Sequence, residues 1–143
     1  MSGLGSPHWE PEARGLWLGL GQNQSRQQLM QAILEGIAFR AAEVVIAMRE
    51  STSVSETIIV DGGMSGNSYF IQFLADVCGC DILLSKIPEN TGLGTLKLAS
   101  RLTGKQLYCE NEGTRVKPVL DRRDDLEKFK HAISFSKKWS ELN

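Results

Sequence analysis

The stretch Thr57-Ile58-Ile59-Val60-Asp61-Gly62-Gly63-Met64-Ser65-Gly66-Asn67 constrains this chain more than any other. Its four consecutive β-branched residues read as a central strand of a parallel sheet, covered on both faces. Two adjacent glycines let the main chain turn sharply and let a ligand approach without meeting a Cβ. Gly66 and Asn67 then open a helix. A strand, a glycine turn and a helix in that order bring bare N–H groups and a positive helix end to one point, where an anion can sit. Asn67 adds a donor and acceptors suited to a ribose or a base edge. The turn is not a P-loop, because no Gly-Lys-Ser/Thr follows, and it is not Gly-x-Gly-x-x-Gly. On spacing alone two readings stand: a ligand crevice outside the carboxyl ends of the strands, or a tight turn with no ligand.

The neighbouring pattern extends the alternation of strand and helix. Residues 15–20, Gly-Leu-Trp-Leu-Gly-Leu, read as a short strand. Residues 25–50 carry the longest helix signal, opened by Ser25 and Gln28 in capping-box spacing. Leu29, Met30, Ile33, Leu34, Ile37, Ala38, Ala41, Val44, Val45 and Met48 recur at steps of three and four, so this helix packs on something large. Gly36 in its middle costs about 1 kcal/mol relative to alanine; a close backbone approach and neutral drift both account for it. A helix over residues 67–78 ends at Gly79, and Asp81-Ile82-Leu83-Leu84-Ser85 follows as a second strand. A loop through residues 87–90 leads to a glycine-opened helix over 93–102, closed by Gly104. A linker through Pro118 precedes a last helix over 121–142, with Leu126, Phe129, Ile133, Phe135 and Trp139 on its apolar side. The order αβαβα argues for an α/β layer structure.

With 143 residues the chain has the size of one domain able to bury its own core. A net charge of −1 gives no electrostatic reason to expect nucleic acid or a membrane as partner. No apolar run approaches the roughly 18 residues that span a bilayer. The start of the chain has neither a basic nor an apolar leader, and three cysteines, an odd number, point to reduced thiols in a cytoplasmic setting. Cys78-x-Cys80 reads as buried thiols rather than a metal site, since His8 and His131 stand far off in sequence.

Other polar groups carry little chemistry. Thr91-Gly92-Leu93-Gly94-Thr95 is a second glycine-opened helix start, read as small residues that let helix and sheet pack closely. Trp9, Glu10, Glu12 and Arg14 form a polar-aromatic cluster on a loop, read as surface structure. Asp121, Asp124, Asp125 and Glu127 offset a helix dipole. No histidine pairs with a serine or cysteine for nucleophilic work, and no general-base constellation is found.

These stretches resemble the C-terminal part of the glycerol kinases in the FGGY carbohydrate kinase family. Gly3-Leu4-Gly5-Ser6-Pro7-His8-Trp9-Glu10-Pro11-Glu12-Ala13-Arg14-Gly15 is similar to that family's Gly-Leu-Gly-Ala-Pro-Tyr-Trp-Asp-Pro-x-Ala-Arg-Gly, with His8 for tyrosine and Glu10 for aspartate. Gly19-Leu20, Ala32, Leu34 and Glu35 fit its second signature. Val60-Asp61-Gly62-Gly63 with Asn67, Gln72-Phe73 and Ala75-Asp76 fit its adenine-nucleotide segment. Glu89-x-Thr91-x-Leu93-Gly94, Lys117-Pro118 and Trp139 continue the likeness, with Gly92 and Thr95 in place of the usual alanines.

The resemblance implies an α/β, actin-like (ribonuclease-H-like) ATPase fold and ATP with Mg2+ as phosphoryl donor to a polyol or sugar hydroxyl. The Trp9 and Arg14 motif points to glycerol over a pentulose. Carried over residue by residue, Gly62 and Gly63 bring the backbone to the nucleotide's phosphates, and Asn67 contacts its adenosine part. Residues 1–143 then form one nucleotide-side C-terminal domain that lacks its first strands and the whole N-terminal domain. The family's catalytic aspartate and Mg2+ site belong to those other parts. The chain is accordingly expected to be inactive alone, and any affinity for ADP to be about millimolar, about −4 kcal/mol. Its implied partners are adenine nucleotide and the N-terminal kinase portion. An open sheet edge and an uncovered helix face also favour self-association into a homo-oligomer.

Overall fold

A computed structural model describes residues 3–87, 89–104, 107 and 112–142. Helix α1 (Arg26–Ser51) starts where the sequence places it. The amide of Gln28 donates to Ser25 Oγ at 3.2 Å, and the amide of Ser25 donates to Gln28 Oε1 at 2.8 Å, so the capping box is complete. Ala38, Phe39, Ala42 and Glu43 form its buried face. Met30, Ile37 and Met48 lie off that face and are exposed. No backbone or side chain comes within 4 Å of a Cβ built on Gly36, so close approach is not the reason for that glycine among the described residues.

Strand β1 (Thr57–Val60) pairs in parallel with β2 (Asp81–Ser85), with Ile58 opposite Ile82 and Val60 opposite Leu84. Strand β3 (Gly113–Val116) pairs antiparallel to β2, with Thr114 opposite Leu84. The sheet order is β1-β2-β3, so β2 is central and β1 stands at the edge. This corrects the expectation that β1 is a central strand covered on both faces. Ile58 and Val60 pack towards the core, whereas Ile59 points to the other face and is 43% exposed. Strand β3 falls inside the expected linker. Gly113 is required there, because a Cβ would sit 1.9 Å from the carbonyl oxygen of Leu84.

Helix α2 (Ser68–Cys78) buries Phe70, Phe73, Leu74 and Val77 and ends at Gly79, whose φ of 59° is left-handed. Helix α3 (Asn90–Leu102) starts earlier than expected and buries none of its residues. Pro88 of the preceding loop, and Cys109, lie outside the described residues. Helix α4 (Arg123–Ser140) packs through Leu126 and Ile133, with Phe129 partly buried. Phe135 and Trp139, expected on that face, are exposed, and Ser136 is buried instead. Asp121 precedes the helix rather than entering its first turn, and pairs with Arg123.

The core joins α1, α2 and α4 to one face of the sheet. Phe39 meets Phe73 edge-on at 5.2 Å and stacks on Phe129 at 4.9 Å. Cys78 and Cys80 are buried thiols; burial, then the neighbouring Cys80, pushes Cys78 up to about 12. Buried Asp76 ties the loop before α4 to α2. Its Oδ1 accepts from the amides of Val119 at 2.8 Å and Leu120 at 3.3 Å, and from Gln72 Nε2 at 3.0 Å.

The segment before α1 divides in two. Residues 3–14 fold into a loop closed by a Leu4–Glu10 bridge. Arg40 Nη2 donates to the carbonyl of Ser6 at 2.8 Å, and His8 Nε2 lies 3.1 Å from Glu43 Oε1. Glu43, 6% exposed, is thus paired with both Arg40 and His8, as a buried carboxylate must be. Residues 15–20, expected as a strand, are not one. Leu16, Trp17, Leu18 and Leu20 are all exposed, and this arm pairs with no described strand. Among the described residues no helix is long and apolar enough to cross a membrane.

Candidate functional site

The carboxyl ends of the parallel pair β1 and β2 open two helices at neighbouring points. From β1 the chain passes through Asp61 into Gly62, which adopts φ 88° and ψ −179°, a conformation only glycine accepts. A one-turn 3-10 helix, Gly63–Gly66, follows, fixed by the amide of Ser65 and by Ser65 Oγ donating to the carbonyl of Gly62 at 3.0 and 2.6 Å. Asn67 then caps α2, its Oδ1 accepting from the amide of Phe70 at 3.0 Å. That bond occupies one end of the Asn67 amide and leaves its NH2 as the group able to face a ligand.

Gly63 differs from Gly62 in an informative way. Its backbone is not left-handed, and a Cβ built on it meets no atom within 4 Å. Neither chain geometry nor internal packing therefore calls for glycine at 63. Open space over that backbone is what a close-lying ligand needs. Gly66 has the same clearance.

Asp61 supplies a link that sequence reasoning did not find. Its Oδ2 accepts from the amide of Asn90 at 2.9 Å, so the residue after β1 caps α3, the helix after β2. Glu89, the formal cap, makes no side-chain capping bond. Asn90 Oδ1 accepts from Ser85 Oγ at 3.4 Å, while Asn90 Nδ2 is buried without a hydrogen-bond partner. The sequence signal was the aspartate itself, read only as part of a glycine turn. At the other glycine-rich start, a Cβ on Gly92 would meet the Glu89 side chain at 3.3 Å and one on Gly94 meets nothing within 4 Å, so neither glycine is where the sheet approaches the helix closely.

Beside α2 an open groove of about 560 Å³ runs between its first turn and the start of α1, lined by Arg26, Met30, Gln31, Leu34 and Tyr69 among others. Gln31 Nε2 donates to Tyr69 Oη at 2.8 Å, and Tyr69 Oη donates to Glu35. Burial, then the bond to Glu35 and its charge, holds the Tyr69 hydroxyl above its ordinary pKa. The Trp9–Arg14 loop stands apart from this site. Arg14 is engaged by the carbonyls of Pro11, Glu12 and Ala13 and by the Glu12 carboxylate, and Trp9 is exposed at φ 55°.

No group of three His, Cys, Asp or Glu among the described residues is placed to hold a metal ion. The nearest carboxylate, Asp61, already accepts from Asn90. The described residues offer no Mg2+ site of their own, whereas the open backbone at Gly62 and Gly63 and the NH2 of Asn67 leave space and a donor of the kind a nucleotide needs.

Fold and crevice together define an α/β domain with an open crevice at the carboxyl ends of a parallel strand pair, where ligands of open α/β sheets commonly lie. Residues 1–102 match the family of FGGY carbohydrate kinases, C-terminal domain. The chain belongs to that family, as its sequence motifs imply. It is 40% identical over 105 residues to a glycerol kinase of Rhodopirellula baltica, covering 73% of this chain and 20% of that protein. It is 38% identical over 126 residues to a glycerol kinase of Alkalilimnicola ehrlichii, covering 85% and 26%. Plasmodium falciparum glycerol kinase with ADP superposes with a TM-score of 0.79 at 27% identity, over 94% of this chain and 29% of that one. A ligand-bound xylulose kinase from Lactobacillus acidophilus shares the fold, with a TM-score of 0.64 at 18% identity. The chain thus spans less than a third of the length of each.

Proposed function

We propose that this chain supplies the adenine-nucleotide side of an ATP-dependent glycerol kinase, which converts glycerol and ATP to glycerol 3-phosphate and ADP. The observation that carries the reading is the turn from Gly62 to Asn67, set in a fold similar to an ADP-bound glycerol kinase. The phosphates run over the backbone of Gly62 and Gly63, and the Asn67 amide meets the adenosine part. Phosphoryl transfer needs positioning and charge stabilisation together, so this chain alone turns nothing over. The base that activates glycerol and the site for Mg2+ belong to the part of the kinase beyond this span.

The test is to co-produce this chain with the preceding part of the Rhodopirellula baltica glycerol kinase and to measure ATP-dependent glycerol phosphorylation. Activity in the pair and none in either piece is the expected result. A soluble, associated pair without activity would count against the reading. A second reading, a non-catalytic interaction module, draws on the exposed apolar arm at Leu16, Trp17, Leu18 and Leu20. Activity on a sugar or another polyol, with none on glycerol, would place the chain with another FGGY kinase.

A further inference from the structure

The sheet has a second opening at its other end. The amino ends of β1 and β2, marked by Thr57 and Asp81, lie away from the glycine turn and border a polar pocket of about 440 Å³. Arg49, Glu56, Asp81 and Arg115 line it, so it presents charges of both signs. Arg115 Nη1 donates to Asp81 Oδ2 at 2.8 Å and to Thr57 Oγ1 at 3.1 Å, and Arg49 Nη1 donates to the carbonyl of Cys78 at 3.1 Å. A guanidinium carries N–H groups on three nitrogens, so these bonds leave donors for a ligand.

Cys80 borders the pocket, whereas Cys78 does not. Both belong to the core cluster, as free thiols that nothing in the nucleotide site employs. The one residue between them, Gly79, is left-handed at φ 59°, and the amide of Cys80 donates back to the carbonyl of Ala75 at 3.4 Å. Two Cα steps of about 3.8 Å, folded at such a residue, set the cysteine Cα atoms about 5.5 Å apart, the usual separation across a disulfide. The thiols already act on each other, since the charge of Cys80 and a hydrogen bond with it both bear on Cys78. No metal-holding group of three includes them among the described residues. Two facing thiols, one of them at a pocket, are instead arranged for exchange with a disulfide.

We propose that Cys78-Gly79-Cys80 is an oxidisable dithiol, entered at Cys80 by a small zwitterionic disulfide of the amino-acid type seated in this pocket. Carboxylates of that ligand face Arg49 and Arg115, and its ammonium faces Glu56. The Cys80 thiolate attacks one sulfur of the ligand. The ligand's S–S bond breaks, a mixed disulfide forms on Cys80, and the first small thiolate leaves and takes up a proton. Cys78 then gives its proton to water and attacks the Cys80 sulfur, closing the 78–80 bond and expelling the second small thiolate. Two protein thiols are oxidised by two electrons, and one external disulfide is reduced to two thiols. Burial keeps Cys78 protonated, and its fixed place beside Cys80 offsets that handicap in the second step. The ring closed is only three residues long, so the bond adds little stability and suits reversible exchange.

The experiment treats the whole folded chain, carrying Cys109→Ser so that only this pair reacts, with glutathione disulfide at pH 8. Peptide mass mapping follows the thiols, and tryptophan fluorescence monitors the fold. The expected course is a glutathione adduct on Cys80, then its release with the 78–80 bond closed, reversed by dithiothreitol. Cys78→Ser should trap the adduct on Cys80, and Cys80→Ser should leave Cys78 unmodified. The uncharged hydroxyethyl disulfide should react at least about fivefold more slowly, and Arg115→Gln should narrow that gap. No loss of thiols from the folded chain, a first adduct on Cys78, an adduct that stays on Cys80 without closure, or equal rates with the two disulfides would each overturn the proposal. The order of adducts in the chain with both cysteines decides the matter even where a variant at 78 or 80 fails to fold.

Discussion

Two adjacent glycines in this turn should respond to the same substitution in opposite ways. At Gly62 the backbone sits at φ 88° and ψ −179°, a region in which a side chain costs about 1–3 kcal/mol. An alanine there recovers about 0.4–1 kcal/mol by restricting the unfolded chain. Gly62→Ala should therefore destabilise the domain by about 1–2 kcal/mol. At Gly63 the backbone is not left-handed and a Cβ meets nothing within 4 Å, so only the unfolded-state gain remains. Gly63→Ala should be neutral or stabilising by up to about 1 kcal/mol. Urea unfolding followed by tryptophan fluorescence resolves the difference, because 2 kcal/mol at a slope of about 2 kcal/mol/M moves the midpoint by about 1 M. Calorimetry with ADP supplies the second axis. The parent chain should bind with a Kd of about 1 mM, and Gly63→Ala should lose that binding while keeping its stability. Equal midpoint shifts in the two variants would refute the conformational argument. Unchanged ADP binding in Gly63→Ala would refute the claim that this glycine exists for access.

Asp76→Ala leaves the amides of Val119 and Leu120 without their acceptor and should cost about 3 kcal/mol in urea unfolding, whereas Asp76→Asn keeps an oxygen there and should cost about 1 kcal/mol. The buried thiol of Cys78 keeps its proton up to about pH 12 while the unfolded thiol releases it near 8.5, so the folded state binds more protons between those values and stability falls as pH rises through them. The fall between pH 8 and 10.5 should be smaller in Cys78→Ala, and native Cys78 should resist alkylation at pH 8 until the chain unfolds. Ser25→Ala removes the capping hydroxyl of α1 and should cost about 1 kcal/mol, read as a lower thermal midpoint.

Elements whose signal is local were legible in the sequence. The Ser25–Gln28 box, the β-branched run of β1 and the Gly79 stop all stand within a residue or two of where their chemistry puts them. Pairing was not legible, since it depends on which strands are present. Thr57–Val60 has the composition of a central strand, yet it stands at an edge and leaves Ile59 half open. Residues 15–20 have strand composition and no ladder. Strand β3 is too short and too polar to announce itself, and its one sharp constraint, the approach of Gly113 to Leu84, is visible only in three dimensions. At the candidate site, Gly62, Gly63 and Asn67 could be named from the turn and the family motif. The bond from Asp61 to Asn90 could not, because it joins residues 29 positions apart through the parallel pairing.

That bond has a thermodynamic consequence. Helix α3 buries none of its 13 residues, and Leu102 is 90% exposed. Little apolar burial opposes its fraying, so it belongs to the least protected end of the local-unfolding spectrum. The carboxylate of Asp61 and the hydroxyl of Ser85 hold its first residue at the mouth of the glycine turn. Pressure on the far end of α3 is thereby delivered to the start of that turn. A surface that closes over Leu96 and Leu102 would raise the order of the glycine turn without touching it.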